Sequence, residues 1–317
     1  MPKLIAIVGA TATGKTALAV ELARRLDGRA EAIGADSRQV YRRLDIGTAK
    51  PTSEEQAAAR HHLIDVVEPD QPFSLGQWLV LAQAALDGVW SRPDGRPSGR
   101  DPTPLVVGGT GQYVWALLEG WRVPRVPARA ELRRELGSRT PESLLAELRR
   151  ADPQAESYID PRNVRRLVRA LEVYRETGKP FSYWRTKEAP AFASLVIGLR
   201  LERQELYRRI GERVERMVEA GFVEEVRGLL AMGYSRDLPC LSGIGYREMC
   251  EHLAGERDLP SAVERTKTGT HRLARHQNTW FKADDPRIHW IEAGEGAADE
   301  AWALVREFAD RRLGVRG

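Results

Sequence analysis

The chain has 317 residues, 42% of them hydrophobic, with 49 basic against 45 acidic side chains and a net charge of +4. That length predicts two domains, or one domain carrying an insertion, with enough apolar residues for a real core. The mild basic excess permits an anionic partner without demanding one, and two cysteines argue against a disulfide scaffold and for a reduced, cytoplasmic setting.

Cys240 and Cys250 form no zinc pattern with the six histidines. The N-terminus runs straight into apolar residues, and no apolar run is long enough to span a bilayer, so neither a leader nor a membrane is expected. Leu4-Ile5-Ala6-Ile7-Val8 reads as a strand buried on both faces. It leads into Gly9-Ala10-Thr11-Ala12-Thr13-Gly14-Lys15-Thr16, the spacing G-x-x-x-x-G-K-[ST] of a phosphate-binding loop. Glycines let successive N–H groups converge on one point, and the helix that follows adds its positive end. Lys15 is expected to serve the outermost phosphate and Thr16 a magnesium ion. The motif says diphosphate or triphosphate, not which molecule.

Glu31-Ala32-Ile33-Gly34-Ala35 reads as a second strand, ending at Asp36. Were the two strands neighbours, Asp36 and Lys15 would face one crevice at the C-terminal strand ends. Spacing leaves Asp36 open between catalysis and capping the N-terminus of a helix. His61–Val67 is predicted as a third strand, with the His pair structural rather than metal-binding. A helix is predicted over 74–90, a Pro/Gly-rich surface loop over 91–104, and a strand at Leu105–Val107 running into Gly108-Gly109-Thr110-Gly111.

From residue 121 to about 190 the pattern is helical only, with expected helices at Glu131–Leu136, Pro141–Arg150 and Asn163–Thr177. Arg162, Arg165, Arg166 and Arg169 repeat at helical spacing, so one face of one helix is basic. The α/β pattern resumes with a strand at Ser194–Leu199 and a helix over 203–219, where Arg209, Arg213 and Arg216 lie on one side. A helix at Val223–Ala231, a Gly-rich turn at Leu241–Tyr246, a long helix over 261–282, a strand at Ile288–Ile291 and a final helix from about 297 complete the chain. The expected architecture is α/β: a mainly parallel sheet flanked by helices over 1–120 and 191–317, with a helical insertion domain over 121–190.

Together these stretches resemble the tRNA dimethylallyltransferase (isopentenyl-tRNA transferase) family. The resemblance rests on the phosphate loop, Asp36–Tyr41, Asp45–Pro51, His61–Asp65 and Val107–Tyr113, and continues through Arg169–Tyr174, Thr177–Lys179, Ile244–Tyr246 and Gln277–Phe281. It implies a P-loop NTPase-like core and transfer of a dimethylallyl group from its diphosphate to N6 of the adenosine beside the anticodon. It further implies that residues 9–16 hold the diphosphate with Mg²⁺, that Asp36 is the general base, and that Arg213 stabilises the diphosphate. Asp36, Ser37, Arg38, Gln39, Thr110, Arg133, Arg165, Arg166, Leu167, Val168, Arg169, Leu241, Ser242, Gly243, Ile244, Gly245 and Tyr246 fall at positions implied to meet the anticodon stem-loop. Ala10 and Thr13 replace the family's usual proline and serine, and His271 and His276 stand where arginine is frequent. A monomer is expected. The rival readings are a phosphate-loop kinase using ATP on a small acceptor and an RNA-binding NTPase without transfer chemistry.

Overall fold

Six strands form one sheet in the computed structural model, which describes residues 1–91 and 103–311. They are β1 (Lys3–Gly9), β2 (Ala30–Gly34), β3 (His61–His62), β4 (Thr103–Val107), β5 (Ala193–Arg200) and β6 (Ile288–Glu292). Their order is β3-β2-β4-β1-β5-β6, and every pairing is parallel. The α/β class with a parallel sheet is therefore as expected, but β1 and β2 are not neighbours. β4 lies between them, with Ile5 opposite Leu105 on one side and Ala32 opposite Leu105 on the other. Since all strands run the same way, the turns after β1, β2 and β4 still leave one edge of the sheet.

The helices are α1 (Lys15–Arg25), α2 (Ser53–Ala58), α3 (Leu75–Trp90), α4 (Gly111–Leu118), α5 (Ala130–Gly137), α6 (Pro141–Ala151), α7 (Val164–Thr177), α8 (Arg203–Glu219), α9 (Phe222–Ala231), α10 (Tyr246–Leu253), α11 (Leu259–Trp280) and α12 (Ala297–Asp310). Their ends follow local chemistry. The Thr140 hydroxyl accepts from Ser143 N–H ahead of Pro141 at the start of α6. Asn163 caps α7, and Gly178, with φ of 67°, ends it in the left-handed conformation.

Two corrections concern β3 and β4. The expected strand over 61–67 shrinks to His61–His62, because Leu63 and Asp65 adopt positive φ and turn the chain away from the sheet. β4 begins earlier than expected, at Thr103; Pro104 is tolerated because its register partner is Glu31 of β2 alone, while pairing to β1 starts at Leu105. Most of the expected loop over 91–104 lies outside the described residues.

The chain divides into two compact units. One comprises 1–73, 80–114 and 191–317; the other comprises 74–79 and 115–190. In the first, Ile5, Ile7, Leu22, Leu105, Ile197 and Ala301 belong to one core cluster, while Val40, Leu44, Phe222, Val226, Leu241, Tyr246 and Met249 form another. In the second, Leu136, Leu144, Leu148, Leu167 and Leu171 pack α5, α6 and α7 together. Among the described residues no helix is long and apolar enough to cross a membrane.

Candidate active site

The loop between β1 and α1 is set by contacts that forbid a side chain. A Cβ on Gly9, at φ of 138°, would lie 2.3 Å from the carbonyl oxygen of Leu199. Gly14 is left-handed, with φ of 91°, and directly precedes α1. Inside the loop, Ala10 O accepts from the Thr13 hydroxyl at 2.9 Å and from Lys15 Nζ at 2.7 Å. Ala10 itself is buried with Leu206, Ile210 and Ala274, so a small residue is what this place accepts. Burial, and then the charge of Arg213, pull the Lys15 ammonium down to about 8, with Asp36 pushing the other way. The Thr16 hydroxyl makes no hydrogen bond among the described residues and is half-exposed.

Asp36 leaves the end of β2. Its Oδ1 accepts from the N–H groups of Arg38 at 2.8 Å and Gln39 at 3.4 Å. It therefore caps a turn rather than a helix, since no helix begins here, and Oδ2 accepts no hydrogen bond among the described residues. One oxygen fixes the carboxylate and the other is free to take a proton. The turn after β4 is locked against this one: a Cβ on Gly108 would lie 2.1 Å from Ala35 O, Thr110 N–H donates to Ala35 O at 3.1 Å, and Thr110 Oγ1 accepts from Ser37 N–H at 3.1 Å. Arg213 reaches in from α8, donating through Nη1 to Thr11 Oγ1 at 3.3 Å. Burial lowers its pKa while Asp36 raises it. Lys15, Asp36 and Arg213 thus act on one another electrostatically although they come from β1–α1, β2 and α8.

Beyond this centre the 44–50 segment is held by three side chains. Gln39 Nε2 donates to Thr48 O at 3.1 Å and Ala49 O at 2.9 Å. Lys50 Nζ, almost fully buried, meets Asp45 and Asp65 at 2.6 Å each and Tyr41 O at 2.7 Å. The Glu225 carboxylate accepts from the N–H groups of Asp45, Ile46 and Gly47 at 2.9, 2.7 and 3.3 Å, and from Tyr246 OH at 2.6 Å. Asp45–Lys50 then forms one wall, and Arg213 and Arg216 part of the other, of a cavity of about 510 Å³.

Several expected RNA-contact residues have other employment. Leu241 and Tyr246 are core side chains, Gly243 and Gly245 are buried, Ser242 is exposed and Ile244 half-buried. Arg38 donates to Pro239 O at 2.7 Å, bracing that turn. Leu167 and Val168 face the core of the helical unit, so their side chains offer nothing to an RNA. Arg133 grips the Glu172 carboxylate with two bonds of 2.9 and 2.8 Å, and Arg169 meets it at 2.6 Å. Arg165 and Arg166 are exposed and form neither ion pair nor side-chain hydrogen bond among the described residues. Sequence reasoning did not single out Gln277 or Glu225; the only available signal for Gln277 was its place in the quoted Gln277–Phe281 motif.

The IPP transferase family profile matches residues 39–284, and the isopentenyl transferase profile matches residues 2–68. A tRNA dimethylallyltransferase of Chloroflexus aurantiacus is 51% identical over 286 residues, covering 89% of this chain and 93% of its own. The crystal structure of a tRNA isopentenylpyrophosphate transferase from Bacillus halodurans aligns with a TM-score of 0.70 at 36% identity, over 98% of this chain and 97% of that one. A eukaryotic dimethylallyltransferase captured acting on tRNA aligns with a TM-score of 0.81 at 26% identity, over 97% of this chain and 79% of its own.

Proposed function

The chain belongs to the IPP transferase family, and we propose that it transfers a dimethylallyl group from dimethylallyl diphosphate to N6 of the adenosine adjacent to the anticodon in tRNA, releasing diphosphate. The observation that carries the reading is geometric: Arg213 reaches the phosphate loop through the Thr11 hydroxyl at 3.3 Å, and Asp36 at the end of β2 is fixed through Oδ1 alone, leaving Oδ2 without a hydrogen bond among the described residues. Two cations suit a departing diphosphate, and one carboxylate suits the proton that the acceptor must lose. The exocyclic amine is a weak nucleophile, because its lone pair is delocalised into the ring. As N6 bonds to the allylic carbon and the carbon–oxygen bond breaks, the amine proton passes to Asp36 Oδ2 and the electron pair leaves on the diphosphate. Lys15 would turn from Ala10 O to the phosphates, a short swing for a flexible stem.

Magnesium fits this site at Thr16, whose hydroxyl has no competing hydrogen bond among the described residues. A single hydroxyl donor suits an ion held mainly by the substrate's own phosphates. When bound it would neutralise charge on the leaving diphosphate. Reaching N6 requires the base to leave its stack; Ser37, Thr110 and the exposed Ser242 are polar groups of the turns that would receive it, and Arg165 and Arg166 would meet phosphates. The reading places this chemistry on a cytoplasmic monomer.

The deciding experiment supplies purified protein, Mg²⁺ and unmodified tRNA with either dimethylallyl diphosphate or ATP. The tRNA should gain the mass of one five-carbon prenyl group with the first donor alone, and Lys15→Ala should abolish the gain. Phosphoryl transfer from ATP without prenylated adenosine would overturn the reading in favour of a kinase.

A further inference from the structure

We propose that Gln277 is a positioning residue whose single side-chain amide holds the phosphate loop in register with the turns that present Asp36. The proposal rests on the reading that residues 9–16 hold the donor diphosphate.

Gln277 lies on α11 and is buried. Its Oε1 accepts from Thr11 N–H at 2.8 Å, and its Nε2 donates to Gly109 O at 3.0 Å. One planar group thus joins two loops that leave different strands, β1 and β4. The amide orientation is fixed by its partners, since one is a donor and the other an acceptor. The fit is close: a Cβ on Gly109 would lie 2.1 Å from Nε2, so only glycine lets the amide approach.

Each joined residue leads to the reaction centre. Thr11 offers its hydroxyl oxygen to Arg213. Gly109 precedes Thr110, which hydrogen-bonds both Ala35 O and Ser37 N–H on either side of Asp36. A continuous path therefore runs from Arg213 through Thr11, Gln277, Gly109, Thr110 and Ser37 to Asp36. It connects the groups that neutralise the leaving diphosphate with the group that takes the acceptor's proton. Transfer between two bound substrates needs the reacting atoms at contact distance, and a misplacement of about 1 Å costs about 10²-fold in rate.

Two variants separate this role from simple packing. Gln277→Met keeps length and shape but neither accepts nor donates. Gln277→Glu can accept from Thr11 N–H when ionised but then opposes Gly109 O with a negative charge. Once protonated, its hydroxyl donates to Gly109 O and its carbonyl accepts from Thr11, as the amide does. Burial beside a carbonyl oxygen raises the pKa of such a carboxyl. Single-turnover prenyl transfer is measured at saturating tRNA and dimethylallyl diphosphate, with tRNA KM and thermal unfolding followed in parallel.

Gln277→Met should lose about 10²-fold in the transfer rate, with tRNA KM changed by less than about threefold. The rate of Gln277→Glu relative to wild type should rise as the pH falls from about 8 to about 6. Taking that ratio removes the titrations of Lys15, Asp36 and Arg213, and of His271 and His276 on the same helix, which both proteins share. A Gln277→Met enzyme with a wild-type transfer rate, or a folded Gln277→Glu enzyme whose ratio is flat with pH, overturns the proposal. Should Gln277→Glu not fold, Gln277→Met decides alone. A wild-type protein that prenylates no tRNA fails at the earlier step and refutes the function itself.

Discussion

Arg165 and Arg169 lie one turn apart on α7 and read alike in sequence, yet their surroundings predict opposite outcomes when each is replaced by alanine. Arg169 donates to the fully buried Glu172 at 2.6 Å and to Val126 O at 3.0 Å. Removing one partner from a buried ion pair costs about 3–5 kcal/mol. Here Glu172 keeps two bonds from Arg133 and one from Arg129 N–H, and Arg169 is itself 28% exposed. What is lost is close to one charge-assisted hydrogen bond, so Arg169→Ala should cost about 2 kcal/mol. Arg165 is exposed and unpaired among the described residues, and its replacement should stay within about 0.5 kcal/mol.

Urea unfolding measures the first effect, and tRNA affinity over a series of salt concentrations measures the second. Arg165→Ala should flatten the slope of log affinity against log salt by about one per lost phosphate contact, and Arg169→Ala should leave it unchanged. Glu172 makes the stability effect depend on pH. Burial pushes its pKa up, but hydrogen bonds from Arg133, Arg129 N–H and Arg169 outweigh that and bring it below the ordinary carboxylate value. Its stabilising contribution is thus present above the unfolded value, about 4.3, and lost as pH falls through the folded one. The gap between wild type and Arg169→Ala should close over that acid range. Arg169→Ala with unaltered stability and a flattened salt slope would refute the reasoning.

Asp36→Asn keeps the Oδ1 contacts to Arg38 and Gln39 but removes the proton acceptor, so single-turnover transfer should drop by about 10²–10⁴ with tRNA affinity nearly intact; a near-normal rate would make Asp36 a turn cap only. Lys15 loses charge as pH rises through about 8 in the substrate-free enzyme, so kcat/KM for dimethylallyl diphosphate should fall above that pH. A kcat/KM profile level to about pH 10 would mean that the ammonium does not recognise the diphosphate.

The elements most legible in the sequence are those whose reason for existing is local. β1, the loop after it and α1 follow from an apolar run, two glycines and an amphipathic stretch, and α8 from an uninterrupted helical period. α6 and α7 carry caps at both their expected starts. Three helices are not legible. α2 is six residues long with no buried side chain, so no apolar period reveals it and its one sign is the local Thr52–Glu55 capping box. α4 hides behind the Gly-rich turn that precedes it, and α10 behind Gly243-Ile244-Gly245. The order of strands is a global property: nothing in β1 or β2 announces that β4 comes between them.

The same distinction governs the site. Residues 9–16 and Asp36 are legible because backbone convergence and a strand-end carboxylate have sequence signatures. What holds them in place does not. Gln277 is 266 positions from Thr11 and 168 from Gly109, and Glu225 is about 180 from the N–H groups it accepts. A glutamine or glutamate on an amphipathic helix is ordinarily a solvated residue, and only the fold tells that these two end on backbone groups. The arginines of α7 err in the other direction. Their spacing predicts one basic face, but α7 also carries Glu172, three residues after Arg169 and turned inward. A buried carboxylate needs cations, and it takes them from the face nearest to hand. Arg133 and Arg169 therefore serve the helical core, while Arg165 and Arg166, near the N-terminus of α7, stay exposed and without an ion pair among the described residues. The positive end of the α7 dipole adds to the charge there, although Arg162 O and Asn163 already take up the Val164 and Arg166 N–H groups.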